Sequence, residues 1–212
     1  MESTYRFPTS ILVFTLSYAA AISIPAKRSG NPELVSYILM MAVLITAIAI
    51  VDRRSRLSRP LLWCFSLWGL VHMAGGLLRI PGFWPYNGPY EVLYSLWIFP
   101  DRLKYDQVVH VYGFGITTWL WWEILRNGLE MRYGQKPDPT FGLISLCVAG
   151  AMGFGAFNEM VEFIATLTLP KTNVGGYDNT GWDLVSNLVG SVFTGAIIWL
   201  RGRPAEETRQ AN

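Results

Sequence analysis

Apolar runs close to the roughly 20 residues that carry an α-helix across a bilayer recur six times along this chain. They lie at about 9–25, 33–51, 61–78, 107–125, 141–167 and 183–200. Of the 212 residues, 51% are hydrophobic and 15% charged, more apolar sequence than one soluble core of this size can absorb. The runs therefore predict an all-α polytopic membrane protein, a six-helix transmembrane bundle forming one domain, with membrane lipid as its first partner. A net charge of +2 creates no global field for nucleic acid, so no nucleic-acid partner is expected.

Charge is unevenly distributed among the runs. The first three hold no Lys, Arg, Asp or Glu beyond Glu33 at an edge, whereas each of the last three carries ionisable residues. Arg6 before the first run and the Ala19–Ala21 triplet imitate a secretory signal, but the expected outcome is a retained helix. With the N-terminus inside, eleven basic residues fall on the cytoplasmic side, four of them in RRSRLSR (53–59), against six on the other side. Positive-inside reasoning then places both termini in the cytoplasm, for a protein of the cell inner membrane. The 80–105 connection has four prolines and many aromatics, and is expected to lie as an amphipathic cover along the outer interface. The 204–212 tail is polar. Cys64 and Cys147 sit in different apolar runs without a CxxC, which predicts buried free thiols.

The polar residues within the apolar runs carry whatever chemistry the chain has. In YDQVVHVYGFG, Asp106 and His110 are four apart and share a helix face. In AFNEMVEFIATL, Glu159 and Glu162 lie one turn apart, and Asn158 is four residues before Glu162. From Phe141, Glu159 is about 27 Å along a helix, near the outer boundary of a hydrocarbon layer about 30 Å thick. In GGYDNTGWDLVSNLVGS, Asp183 and Asn187 share a face, Asp178 precedes them, and Asn179 or Thr180 can cap the helix. His72 lies near the outer end of the third run, and Glu123, on the cytoplasmic side, reads as an interface anchor. Six of these residues, from three helices, share the outer third of the membrane: Asp106, His110, Glu159, Glu162, Asp183 and Asn187. Small residues in the same helices allow close packing.

At these residues the chain resembles the YjdF-like family of uncharacterised bacterial inner-membrane proteins and, more distantly, VanZ-like proteins. The resemblance rests on Tyr105-Asp106 with His110, on Asn158-Glu159 with Glu162, and on Asp178, Thr180, Asp183, Asn187 and Gly190. It covers about 105–190 and implies a multi-pass fold with a polar cluster, without an established reaction. The VanZ-like association with glycopeptide-antibiotic tolerance implies envelope lipids or wall precursors.

Three functions fit these residues. The first is an enzyme acting on envelope lipids or lipid-linked headgroups, with Asp106, His110, Glu159, Glu162 and Asp183 as candidate catalytic groups. A divalent metal is its possible cofactor, held by His110, Glu159 and Glu162, with Asp106 orienting His110. Asn158, Asp178, Asn187 and His72 are then candidate binding residues. The second is an accessory or assembly subunit of a larger membrane complex, with membrane-protein partners. The third is a proton-coupled transporter using Glu159, Glu162 and His110.

Overall fold

The computed structural model describes residues 7–30, 33–168 and 172–202. Within them are six long α-helices: α1 (Thr9–Arg28), α2 (Leu34–Ser55), α3 (Arg59–Leu77), α4 (Tyr105–Tyr133), α5 (Phe141–Thr168) and α6 (Tyr177–Arg201). Five of the six are long and apolar enough to cross a membrane. The other is α4, whose 29 residues include Asp106, His110, Glu123, Arg126, Glu130 and Arg132.

Helices extend beyond the apolar runs that mark them. α4 continues past residue 125 to Tyr133, where Gly134 adopts a left-handed conformation and ends it. α6 begins at Tyr177 rather than near 183, because Asp178, Asn179 and Thr180 form its first turn. Hydropathy marks only the stretch of a helix suited to lipid, and polar turns at its ends escape that signal. The 204–212 tail lies outside the described residues.

The 80–105 connection differs from a simple amphipathic cover. It folds into a 3-10 turn, Leu93–Ser95, and two short antiparallel strands, β1 (Trp97–Phe99) and β2 (Leu103–Lys104). Proline interrupts any helix here, so the backbone groups find partners in short ladders instead. Bridges between Arg79 and Val92 and between Tyr86 and Leu96 extend the pairing. The connection is tied to the other loops at the same end. Arg79 donates to the Ser29 carbonyl (3.3 Å), and Ser95 Oγ donates to Asn173 Oδ1 (3.1 Å). The Asn173 N–H in turn donates to the buried Glu33 carboxylate (2.6 Å).

At the opposite end, Asp52 is fully buried and accepts the Leu57 N–H (3.0 Å), closing the turn from α2 to α3. Ser58 caps α3, with Pro60 in the first turn. Glu123, expected as an interface anchor, is buried instead. It reaches across from α4 to accept the Ser58 N–H (2.7 Å) and the Ser58 hydroxyl.

The apolar core falls into three clusters. Ile11, Leu61, Leu62, Ile116 and Leu120 join α1, α3 and α4. Tyr18, Ile22, Met41, Met73 and Leu77 join α1, α2 and α3, and Trp122, Ile144 and Cys147 join α4 to α5. Both cysteines are free, Cys147 buried and Cys64 half-buried. α2 is peripheral, turning Val35, Leu39, Val43 and Ile50 outward, as a lipid-facing helix does. The closest packing is between α4 and α6, with α5 against both. That three-helix unit holds the polar residues.

Candidate functional site

Glycine sets the α4–α6 approach. A Cβ on Gly190 would overlap the Val111 carbonyl oxygen, so only glycine admits this separation. On α5, a Cβ at Gly155 would lie 2.8 Å from Asn187 Nδ2. These two gaps let Asn187, which has no exposed surface, stand between the helices facing His110.

His110 Nδ1 lies 2.9 Å from Asn187 Oδ1. An amide oxygen only accepts, so with the amide assigned this way Nδ1 carries a proton and Nε2 is the ring nitrogen turned to the acids. Nε2 faces Asp106, one helical turn away, at 3.6 Å from Oδ1. Asp106, expected to orient the ring, faces Nε2, and Asn187 holds the other nitrogen.

Asn179 joins α6 to α4. It lies in the first turn of α6, past the Gly176 cap position, and its side-chain nitrogen donates to Asp183 and reaches Asp106 Oδ2 at 3.5 Å. The expected helix cap is thus a bridge between two carboxylates. Asp183 itself is 1% exposed.

α5 supplies the other acids. Glu159 is buried, and Asn158 Nδ2 donates to Glu162 Oε1 (2.8 Å) and approaches Glu159 Oε1 (3.5 Å). Two overlapping sets of possible ligand atoms result, Asp106–His110–Asp183 and His110–Glu159–Glu162, each with its atoms within 4.8 Å of one another. His110 belongs to both. Separation does not exclude a metal shared by His110 and Glu159. Glu159 Oε2, Asp183 Oδ1 and Asn187 Nδ2 are buried without a hydrogen-bond partner among the described residues. Four carboxylates packed around one imidazole carry a negative excess that is costly in a low-dielectric interior unless a cation or protons offset it.

The remaining expected residues lie outside this cluster. Asp178 is exposed. His72 packs in an aromatic group, stacked on Trp68 with centroids 4.8 Å apart, and its Nδ1 is hydrogen-bonded to the Tyr94 hydroxyl. Tyr94 also faces Tyr105 at the start of α4 (6.0 Å), so His72 sits one aromatic layer from the acids. Desolvation holds the Tyr94 phenol well above its ordinary pKa, so it stays neutral.

Asp106 and Asn179 carry the edge of the cluster to the end of the bundle formed by the α1–α2, α3–α4 and α5–α6 connections. A cleft of about 600 Å³ there is lined by Asp106, Asn179, Lys104, Trp97, Trp182 and Tyr94, among others. Lys104 was absent from the expected set. Residues near a predicted interface read as anchors, and nothing local marks one that turns back over a cleft.

Residues 8–204 match the family model described as "Predicted membrane protein (DUF2238)". The chain belongs to this family. No curated protein and no solved structure matches it. The DUF2238 chain is thus an all-α membrane protein in contact with lipid, with an acidic cluster around one histidine in its α4–α5–α6 unit.

Proposed function

We propose that this protein binds a divalent metal ion through His110 and its neighbouring carboxylates, and uses it on a lipid or lipid-linked headgroup of the cell envelope. The observation that carries this reading is the His110 ring. Asn187 takes its Nδ1–H, and Nε2 faces a carboxylate 3.6 Å away, a pairing that a metal ion or a proton between them makes favourable. Histidine with carboxylates suits zinc, manganese or iron. His110 with Glu159 and Glu162, or with Asp106 and Asp183, forms the ligand set. A metal so held supplies an activated water and polarises the substrate, and a carboxylate left out of coordination serves as base.

In this reading α4 is the sixth span and both termini are cytoplasmic, which puts the cleft at the outer leaflet of the inner membrane. The resemblance to YjdF-like and VanZ-like proteins adds weight to an envelope substrate. The test is the lipid profile of membranes from cells carrying Glu159→Gln or His110→Ala in place of the wild type. An accumulating precursor lipid in both variants is expected; unchanged profiles in both contradict the enzyme.

One observation favours a second reading. The His110–Asn187 bond also ties α4 to α6, as a helix lock in an accessory subunit would. A Glu159→Leu, Glu162→Leu variant that keeps both packing and cellular function would support it. Proton-coupled transport is less well supported, since its path would continue through Glu123, which is committed to Ser58.

A further inference from the structure

Lys104 stands at the junction of the α3–α4 connection and α4, and its placement is unusual for a cation beside so many acids. Its ammonium donates to Asn179 Oδ1 (3.0 Å) and lies 5.3 Å from the centre of the Trp97 ring. It makes no ion pair within 4.0 Å among the described residues. An ammonium has three donors, and one is committed to Asn179, leaving two for the cleft that Lys104 lines. Asn179 is also the residue that donates to Asp183 and reaches Asp106. Lys104 is thus one side chain removed from the acidic cluster.

The cleft also holds the Asp106 and Asp178 carboxylates, so an anion settles there only where Lys104, the start of α6 and a cation at the acids offset them. α6 starts at Gly176 without a side-chain cap, and Gly175, Gly176 and Asn179 line the cleft. The first turn of α6 therefore borders the opening, its positive dipole end partly offset by its own Asp178. Gly88 also lines the cleft, where its missing side chain makes room for Ser95 and Asn173. The Trp97 and Trp182 rings border the cleft and suit the headgroup level of a membrane.

We propose that this cleft is a binding subsite for a phosphate group, with Lys104 holding one phosphate oxygen and the metal at His110 facing another. The inference rests on the metal reading above and names the substrate class: a phosphate-bearing headgroup, whether on a membrane lipid or on a soluble molecule. A phosphate offers several anionic oxygens, so one group can meet both an ammonium and a metal ion. An uncharged sugar or a neutral lipid offers neither of them a counter-charge. Lys104 is a positioning residue in this scheme, and the acids and His110 remain the metal's partners.

The experiment uses the full chain in dodecyl maltoside micelles, which carry no phosphate, loaded with Mn²⁺. It is titrated with inorganic phosphate and, separately, reconstituted with phosphatidic acid or with diacylglycerol as the uncharged control. Binding is read from tryptophan fluorescence and from Mn²⁺ broadening of the phosphorus resonance, and bound metal is counted in the same samples. The wild type is expected to respond to a phosphate probe and not to diacylglycerol. Lys104→Ala should weaken that binding about tenfold or more at unchanged metal content, and Lys104→Arg should restore it to within about threefold. A response to phosphatidic acid alone assigns a lipid source, and a response to inorganic phosphate alone a soluble one. If neither probe binds, or if Lys104→Ala binds as the wild type does, the subsite is wrong. If Lys104-dependent binding persists in chain that holds no Mn²⁺, the subsite stands and a manganese ion facing the phosphate is ruled out.

Discussion

Asn187 holds His110: its side-chain oxygen lies 2.9 Å from Nδ1, on a residue with no exposed surface, across the α4–α6 contact. This bond decides which ring nitrogen is available, and hence what the cluster can bind. Asn187→Ala should lower divalent-metal affinity about 10- to 100-fold, the usual effect of losing a partner behind a ligating histidine. Asn187→Asp, which still accepts the Nδ1–H, should retain more of it. Metal titration of the purified variants checks the order.

The α4–α6 distance should fail at one glycine and tolerate change at another. Gly190→Ala drives a methyl group into the Val111 carbonyl and should cost about 1–3 kcal/mol, as overpacking does, with loss of metal affinity as the helices part. Gly153 in α5 has open space beside it, so Gly153→Ala should be neutral or stabilising by up to about 1 kcal/mol. Unfolding in detergent micelles compares the two.

Glu123 predicts a stability effect separable from the site. Glu123→Ala strips both acceptors from Ser58 at the start of α3 and should destabilise by about 1–3 kcal/mol, while leaving metal content unchanged. A change in metal content without loss of stability would place Glu123 in the functional cluster instead.

Glu33 gives the pH dependence. Burial raises its pKa above the ordinary value, outweighing the Asn173 N–H that it accepts. The folded state then holds this proton more tightly than the unfolded chain. Its contribution is fully present below the unfolded pKa and is lost as pH rises through the folded one. Glu33→Gln should flatten that part of the profile and keep the acceptor for Asn173. Thermal midpoints across the weakly acidic range test this, and a slope unchanged by the substitution would contradict it.

The sequence made much of this arrangement legible. Four-residue spacing put Asp106 with His110 and Asp183 with Asn187, and one-turn spacing put Glu159 with Glu162. Depth along each run brought the three helices to one level. What stayed hidden were pairings that no local period encodes. Glu123 meets Ser58 across 65 residues, and His110 meets Asn187 across 77 through gaps that glycine leaves. Asn179 resembled a cap because the apolar run began after it, while the helix itself began before it. The strands of the α3–α4 connection were obscured by prolines and by their length of two and three residues.

The central claim is that His110 and its carboxylates hold a metal, and the most direct measurement is the metal content of the purified full chain after loading with zinc, manganese or iron and removal of excess. About one tightly held ion per chain is expected for at least one of these metals, falling to background in His110→Ala and in Glu159→Gln, Asp183→Asn. Content indistinguishable between the wild type and those variants, for all three metals, would contradict it.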